Sequence, residues 1–343
     1  MMNPRVTLQD VAREANVSPA TVDRVLNSRD GVRPRTREAV LATALRLGYV
    51  TDGTLPPTKR PQTRLINLVF LLPSGTNSFI KALFNQIETQ AARRPELAVH
   101  VETLEGFNPQ TVAARLAELP GEVDGVGLVA QDHPLVREAI RALTRNGIPV
   151  VTIASDIQNV ARLAYIGIDN RQAGRLAGQL IGRLLGRGPA KVALFAGSLS
   201  YRGHEEREMG FRHILREEFP AVQIVELREI LDDRSRAVVE TASVLDSHAD
   251  LAGIYNVGGG TVGIAQEISR RGLSGKVVLI GHEATEANKQ LLLEGVIDAV
   301  IDQNPRVEAR EALNILTAAV RAEAYIYVPP RLQLVLKENL PNE

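Results

Sequence analysis

Residues 7–27 carry two short helical patterns separated by a turn, and this segment constrains the fold more than any other part of the chain. In the first pattern, apolar residues recur at the spacing of one helix face, namely Leu8, Val11, Ala12 and Ala15. Thr7 and Asp10 stand at the positions of a capping box, which predicts where this helix begins. The turn is predicted at Asn16 and Val17.

A second helix is predicted to begin after Ser18. The side-chain oxygen of Ser18 can accept from the unpaired amides at the helix start, and Pro19 suits the first helical position because no N–H is needed there. The helix has an inner face of Val22, Val25 and Leu26 and an outer face of Thr21, Asp23, Arg24 and Asn27. Since a helix fits the major groove of B-DNA, the pattern predicts a helix-turn-helix. The alternative is an ordinary helical hairpin whose outer face is merely solvated.

The charge of the chain is divided unevenly. Residues 1–60 contain ten basic and six acidic side chains, which gives a net charge of +4. Because the whole chain is neutral, residues 61–343 carry a net charge of −4. A cationic head on an anionic body is typical of a protein whose head alone approaches the phosphates of DNA.

The composition excludes several classes of protein. The chain has no run of 18 apolar residues, which excludes a membrane-spanning helix, and its first residues lack the apolar segment of a secretory signal. None of the 343 residues is cysteine, so disulfides, thiolate metal sites and a cysteine nucleophile are excluded. We therefore expect a cytoplasmic protein.

A third helix is predicted over residues 35–47, ending at Gly48, and the polar, proline-rich residues 51–62 are typical of a linker. Beyond the linker, apolar strand-like runs alternate with helical patterns, which predicts an α/β fold with doubly wound parallel sheets. Ten strand candidates exceed what one compact sheet usually holds, so we expect two lobes. The candidates cover residues 65–72, 98–103, 125–130, 149–153, 164–168, 191–196, 223–226, 253–255, 277–280 and 299–302.

Polar side chains follow several of these strands, at the ends that face a ligand in an open parallel sheet. Carboxylates, amides, an arginine and an aromatic ring are what a polyhydroxylated ligand requires, because its hydroxyls need donors and acceptors and its C–H face needs a flat apolar surface. Each residue has an alternative role as a solvated loop side chain or a helix cap. The candidates are Ser74, Asn77, Phe79, Gln131, Asp156, Arg207, Asn256, Glu283 and Gln303.

The first 50 residues also resemble a known family. The segment 6–49, with ATVDRVLN at 20–27, VRPRTR at 32–37 and LGY at 47–49, resembles the headpiece of the LacI family of bacterial repressors. The remainder resembles that family's effector-binding core, which is similar to periplasmic sugar-binding proteins. The resemblance implies a helix-turn-helix headpiece at residues 1–50, a linker at 51–63 and a core at 64–343. It divides the core into a first lobe of residues 64–163 and 304–326 and a second lobe of residues 164–303 and 327–343.

The same resemblance implies a transcriptional repressor that binds a near-palindromic operator as a homodimer. A sugar or polyol bound between the lobes is expected to control this binding. No cofactor, metal or catalytic residue is expected. Arg207, Asn256, Glu283 and Gln303 match the family's effector-contacting positions. There are two departures in this region, because relatives usually carry an acid at the position of Val257 and aspartate at that of Glu283. A hinge helix, which relatives often form after the headpiece, is not expected because residues 51–57 contain glycine and paired prolines.

The start of the second helix is expected to face the bases. There Pro19 and Ala20 offer apolar contact, while Asp23 accepts from a cytosine or orients Arg24. Contacts with the phosphates are assigned to the residues after this helix. The predicted DNA-contacting set is Thr7, Ser18, Pro19, Ala20, Thr21, Asp23, Arg24, Asn27, Arg33 and Arg35.

One motif favours a different function. The segment GGGTVG at residues 258–263 matches G-x-G-x-x-G and follows a strand candidate. Glu283 lies 25 residues after Gly258. Together these features favour a nicotinamide-dependent enzyme. A dinucleotide-binding loop usually follows the first strand of its domain, whereas this segment follows the eighth strand candidate, so a tightly packed strand-to-helix turn is the favoured interpretation. The six histidines show no metal-binding spacing. A sugar-binding protein without a regulatory role is the other alternative.

Overall fold

The computed structural model describes residues 6–26, 32, 34–47, 49, 64–186 and 188–341. The chain divides into one unit of residues Met1–Arg64 and another of residues Leu65–Glu343. The predicted linker at 51–63, the end of the third helix at Gly48 and the predicted contacts Asn27 and Arg33 lie outside the described residues.

Among the described residues of the first unit, three helices are present: α1 (Leu8–Glu14), α2 (Pro19–Leu26) and α3 (Pro34–Arg46). Helix α1 begins at the predicted capping box, where Asp10 Oδ2 accepts from the Thr7 N–H at 2.9 Å and Thr7 Oγ1 accepts from the Asp10 N–H at 3.4 Å. Asn16 adopts a left-handed φ of 52° in the turn, and Ser18 Oγ accepts from the Thr21 N–H at 3.1 Å. The helices enclose a small core of Val11, Ala12, Val22, Val25, Val40 and Ala44.

The second unit alternates strands and helices. Its strands are β1 (Ile66–Pro73), β2 (Leu97–Leu104), β3 (Gly125–Leu128), β4 (Val150–Ile153), β5 (Ala164–Ile166), β6 (Ala190–Ala196), β7 (Val222–Glu229), β8 (Leu251–Asn256), β9 (Val278–His282), β10 (Ala299–Asp302) and β11 (Gln333–Val335). Its helices are α4 (Ser78–Ala91), α5 (Pro109–Glu118), α6 (Pro134–Arg145), α7 (Asn170–Leu185), α8 (Arg202–Glu218), α9 (Arg234–Ser247), α10 (Thr261–Arg270), α11 (Glu286–Leu293) and α12 (Pro305–Val320). A short 3₁₀ turn follows at Lys337–Asn339. Each of the ten strand candidates overlaps a strand, and β11 has no counterpart in the sequence prediction.

The first lobe is a five-stranded parallel sheet in the order β2-β1-β3-β4-β5. Apolar side chains of α4 and α12, including Leu83 and Leu313, cover one face of this sheet. Side chains of α5 and α6, including Leu116 and Ile140, cover the other face. Both faces are buried, which explains why β1, β3 and β4 have nearly continuous apolar sequences.

The second lobe is a six-stranded sheet in the order β11-β10-β9-β8-β6-β7, parallel except for the antiparallel pair β10 and β11. Helices α9, α10 and α11 cover one face, and α7 and α8 cover the other. Helices α7 and α8 lie unusually close, because a Cβ at Gly174 would overlap the carbonyl oxygen of Arg207 and one at Gly210 would overlap that of Arg171. The predicted α/β fold of two doubly wound lobes is confirmed.

The chain passes between the two sheets three times, after β5, between β10 and α12, and between α12 and β11. The predicted lobe boundary, at about residue 163, falls three residues before the end of β5. Val151 pairs with Ala164 and Ile153 pairs with Ile166, so β5 is an edge strand of the first sheet. The residues of so short a strand do not specify which sheet it joins, since either edge supplies the same backbone hydrogen bonds.

Candidate functional site

A cavity of about 430 Å³ lies where the carboxyl ends of strands from both sheets face each other. Its walls come from the segments that follow β1, β2, β3, β4, β7, β8, β9 and β10 and from the start of α8. A volume of this size is typical of sites for small molecules. Six of the nine predicted ligand-contacting residues line it: Ser74, Asn77, Phe79, Arg207, Glu283 and Gln303.

Gln131 and Asp156 lie outside the cavity lining. The side-chain amide of Gln131 donates to Ser200 Oγ. The carboxylate of Asp156 forms a salt bridge with Arg162 and accepts from Thr152 Oγ1 at 2.9 Å. Both residues follow strands of the first sheet as predicted. Neighbouring side chains engage the amide nitrogen of Gln131 and the carboxylate of Asp156, whereas Gln131 Oε1 has no hydrogen-bond partner among the described residues.

Asn256, the ninth predicted residue, lies beneath the cavity wall rather than in it. Its Nδ2 lies 2.8 Å from Thr261 Oγ1 and 2.9 Å from the Gly259 carbonyl oxygen. Asn256 is completely buried, and these bonds fix the glycine-rich segment that does line the cavity.

Arg207 on α8 is 4% exposed, and neighbouring groups fix its guanidinium. Its Nε donates to Asn170 Oδ1 at 2.7 Å, Nη1 to the Val257 carbonyl oxygen at 2.8 Å and Nη2 to Gln303 Oε1 at 3.3 Å. These acceptors are neutral and use three of the five N–H groups of the fork. The remaining donors and the rigid plane make Arg207 a well-oriented donor to a ligand oxygen.

Glu283 follows β9 with a left-handed φ of 70° and is 7% exposed. Its Oε1 accepts from Gln303 Nε2 at 2.6 Å, whereas Oε2 has no hydrogen-bond partner among the described residues. Burial, with the nearby charge of Asp302, raises the pKa of Glu283 well above its usual range, and the charge of Arg207 only partly opposes this. Burial therefore favours the protonated carboxyl group, and that form can donate as well as accept at the cavity wall.

Several residues of the cavity wall were not among the predicted set. Phe107 and Tyr201 pack edge to face, with ring centroids 5.4 Å apart and planes at 88°, and supply an aromatic surface. Phe107 follows β2, and no ligand-contacting residue was predicted after that strand. Tyr201 lies in the segment between β6 and α8, and in this part of the chain only Arg207, on α8, was predicted to contact a ligand.

Asp232 is a further residue that sequence reasoning missed, and it connects the lobes. Its Oδ1 accepts from the Gly259 N–H at 2.6 Å, and its Oδ2 accepts from Asn77 Nδ2 at 2.9 Å. The hydroxyl of Thr76 donates to its carbonyl oxygen at 3.0 Å. Strand β7 runs to Glu229, three residues beyond the predicted end at 226, so Asp232 lies just past the true strand end and was overlooked.

Two histidines line the cavity wall, and burial favours the neutral form of both. Burial lowers the pKa of His204, although the nearby Asp232 opposes this, and its Nδ1 lies 3.0 Å from the Ser198 carbonyl oxygen. Burial lowers the pKa of His282 well below its usual range, and its Nε2 lies 2.8 Å from the Tyr255 hydroxyl. In the part of the chain that the structure describes, no three histidine or carboxylate side chains form a group able to hold a metal ion. Among the described helices, none is long and apolar enough to cross a membrane.

The outer face of α2 is the candidate nucleic-acid interface. Ser18, Pro19, Ala20 and Arg24 are exposed, and Thr21 and Asp23 are half-buried. Ser18 Oγ also lies 2.8 Å from Thr21 Oγ1, so the two hydroxyls hold each other at the start of the helix. Thr7 caps α1, and Arg35 lies in α3 with a side chain that is not described.

Known proteins resemble both units of the chain. Residues 7–52 match the sequence profile of bacterial regulatory proteins of the lacI family, and residues 68–324 match that of a periplasmic binding protein domain. The HTH-type transcriptional regulator pepR1 of Lactobacillus delbrueckii subsp. lactis is 26% identical over 324 residues, which cover 94% of this chain and 84% of that protein. Catabolite control protein A of Priestia megaterium is 28% identical over 213 residues, which cover 62% of this chain and 61% of that protein.

The core fold also resembles solved structures. An ABC transporter solute binding protein from Burkholderia graminis C4D1M, solved in complex with D-arabinose, matches with a TM-score of 0.76 and 23% sequence identity. The match covers 82% of this chain and 99% of that chain. At this level of identity the likeness concerns the fold of the two lobes.

Proposed function

Since the chain belongs to the lacI family of bacterial regulatory proteins, with a periplasmic binding protein domain as its core, it is a DNA-binding transcriptional regulator, and we propose that a sugar or polyol bound in the cavity controls its affinity for operator DNA. The observation that carries this proposal is the cavity itself, which is lined by Arg207, Glu283 and Gln303 at the junction of the lobes. The nicotinamide-dependent enzyme has no comparable support, since the relatives described above are named as regulators.

The chemistry of the wall suits a polyhydroxylated ligand. Arg207 offers donors, and the free Oε2 of Glu283 accepts from or donates to a hydroxyl. The edge-to-face pair of Phe107 and Tyr201 offers an apolar surface to the C–H face of a sugar ring. The D-arabinose bound by the similar solute binding protein belongs to the same class of ligand.

Control of DNA binding would follow from the contacts between the lobes. Asn77 and Thr76 of the first lobe bond to Asp232 of the second, and Ser155 Oγ accepts from the Gly203 N–H at 3.1 Å. A ligand that contacts both lobes stabilises this closed arrangement over an open one. Because the ligand binds the two arrangements with different affinities, it shifts the equilibrium between them and thereby changes the affinity of the protein for the operator.

The DNA-contacting role proposed for Arg24 and the start of α2 rests on their exposure. A homodimer would place two such helices on the half-sites of a near-palindromic operator, since the symmetry of the protein is mirrored in the DNA. Such a regulator acts in the cytoplasm, where the DNA is.

The experiment that tests the proposal is fluorescence anisotropy of the full-length protein on its own upstream DNA at fixed salt, titrated with sugars and polyols. We expect one class of sugar to shift the operator affinity at least tenfold, a coupling of about 1.4 kcal/mol. Binding of DNA that no sugar or polyol alters would contradict the proposed effector class. Binding of sugar without any binding of DNA would instead identify a sugar-binding protein with no regulatory role.

A further inference from the structure

We propose that Asp232 fills, with its own carboxylate, the place in the cavity where a negatively charged group of a ligand would bind, so that the effector is an uncharged sugar or polyol. This inference rests on the proposed function and narrows its ligand class by excluding sugar phosphates and sugar acids. The glycine-rich segment 258–263, which the control of DNA binding does not otherwise explain, lies against Asp232.

The glycine-rich segment binds an anion that the protein itself supplies. A turn of this kind, leading into a helix, presents backbone N–H groups to anions such as phosphate. Here the Gly259 N–H donates to Asp232 Oδ1 at 2.6 Å, directly before α10. A Cβ at Gly258 would lie 2.5 Å from the same oxygen, and a Cβ at Gly197 would overlap it. Both positions therefore require glycine for the carboxylate to lie there.

The backbone at Asp232 is also held in an uncommon conformation. Leu231 and Asp232 have left-handed φ values of 52° and 54°. Aspartate tolerates this region better than most residues, whereas leucine does not, so the pair stores local strain. The surrounding hydrogen bonds offset this strain and hold the carboxylate against the glycine-rich segment.

The second oxygen of the carboxylate is bound from the other lobe. Asn77 Nδ2 donates to Asp232 Oδ2 at 2.9 Å, while Asn77 Oδ1 accepts from the Phe79 N–H at 3.0 Å and so caps α4. The amide of Asn77 is thus fixed at both ends. Donors from both lobes already bind the carboxylate, and an anionic ligand would have to compete with it for the same N–H groups.

Arg207 is the other group that could attract an anion. Its donors bond to Asn170, Val257 and Gln303, and its charge also acts on the buried carboxyl groups of Glu283 and Glu308, where it opposes the rise in pKa. An anion at Arg207 would share the cavity with Asp232. We expect this like-charge contact to weaken binding by roughly 100-fold compared with the matching neutral sugar.

The test uses the full-length protein, the variant Asp232→Gly and matched pairs of ligands. Glycine accepts the left-handed φ and leaves the Gly259 N–H and Asn77 Nδ2 free. By calorimetry, we expect Asp232→Gly to bind inorganic phosphate while the unchanged protein does not. We expect the unchanged protein to prefer a neutral sugar over its phosphate by roughly 100-fold, for example D-glucose over glucose 6-phosphate and D-ribose over ribose 5-phosphate.

A control and a second variant keep the test decisive. Asp233→Asn removes the same charge one residue away, where Asp233 Oδ1 accepts from the Arg236 N–H at 2.7 Å and caps α9, and we expect it to behave like the unchanged protein. If Asp232→Gly fails to fold, Asp232→Asn keeps the shape and removes the charge, and the preference for neutral sugars should fall at least tenfold. Equal binding of sugar and sugar phosphate by the unchanged protein would overturn the inference. So would a folded Asp232→Gly variant that does not bind phosphate, or an Asp232→Asn variant whose preference for neutral sugars is unchanged.

Operator binding is measured on the same samples, which separates the two proposals. If a sugar phosphate weakens or strengthens the binding of the protein to operator DNA, the regulatory function stands and the role proposed for Asp232 is wrong. If no sample binds DNA, the proposed function fails, while the gain of phosphate binding by Asp232→Gly still decides the role of Asp232.

Discussion

Glu308→Gln is expected to stabilise the core, and increasingly so as the pH rises. Glu308 on α12 is 0% exposed, and neither of its carboxyl oxygens has a hydrogen-bond partner among the described residues. Burial, and then the neighbouring Glu283 and Asp302, raise its pKa well above the ordinary value of 4.5, while Arg207 opposes the rise. The folded protein therefore keeps this carboxyl protonated over a range of pH in which the unfolded chain ionises it.

The sign and size follow from proton linkage. A raised native pKa means that the folded state binds more protons than the unfolded chain, so the contribution of Glu308 is fully present below pH 4.5 and is lost as the pH rises through the native pKa. Within that window stability falls by about 1.4 kcal/mol for each pH unit, because one pKa unit corresponds to that free energy. Glutamine keeps the shape, stays neutral and does not titrate. The advantage of Glu308→Gln over the unchanged protein should thus grow by about 1.4 kcal/mol for each pH unit above 4.5, until the native pKa of Glu308 is reached.

Urea unfolding followed by circular dichroism at several pH values measures this difference. Glu311→Gln is the matched control, because Glu311 is equally buried on the same helix but fully partnered: Oε1 accepts from Arg310 Nε at 3.0 Å and Oε2 from the Tyr325 hydroxyl at 2.9 Å. That variant should destabilise the core by about 1–3 kcal/mol, since it disrupts a satisfied network. Parallel pH profiles for Glu308→Gln and the unchanged protein would refute the reasoning.

Three further outcomes are expected. Arg24→Ala, which removes an exposed cation from α2, should weaken operator binding by about 1–3 kcal/mol in anisotropy titrations, and unchanged affinity would remove Arg24 from the interface. Gly174→Ala should destabilise the core by about 1–3 kcal/mol and lower effector affinity, because the new Cβ overlaps the Arg207 carbonyl oxygen; calorimetry that finds both unaltered would contradict this. Val22→Ala, at a completely buried position of the first unit, should lower the free energy of unfolding of that unit by about 2 kcal/mol and weaken DNA binding. Sugar binding, measured separately, should stay the same.

Much of the fold was predictable from sequence because local patterns report burial. Strands such as β1 and β4 are buried on both faces, so their apolar runs stand out from the flanking polar residues. Strand β11 could not be found in this way, because Gln333–Val335 is a three-residue edge strand with one buried side chain. Placement of β5 failed for a related reason, since its sheet is decided by pairing with Val151 and Ile153 rather than by its own residues.

The candidate site was predictable only in outline. The ends of strands identified six residues of the cavity wall, because topology brings those ends together. The strand ends did not reveal which side chains are free to bind a ligand. Asp156 is engaged by Arg162, and Asn256 is engaged by Thr261. Asp232 escaped notice because its position depends on the last three residues of β7, whose alternation of polar and apolar residues gives no clear end.

The course of the chain between the lobes has a consequence for synthesis on the ribosome. The first sheet is complete once β5 has emerged, yet the apolar face that carries Leu68 and Phe70 is covered only by α4 until α12 follows, more than 130 residues later. Since chains emerge from the N-terminus at about 5–20 residues per second, that face lacks one of its two covering helices for several seconds at least. Leu313 and Leu316 of α12 then close it. The nascent chain should accordingly depend on chaperones at this stage, and a message truncated before residue 305 should yield two lobes that are both incomplete, not one finished and one missing.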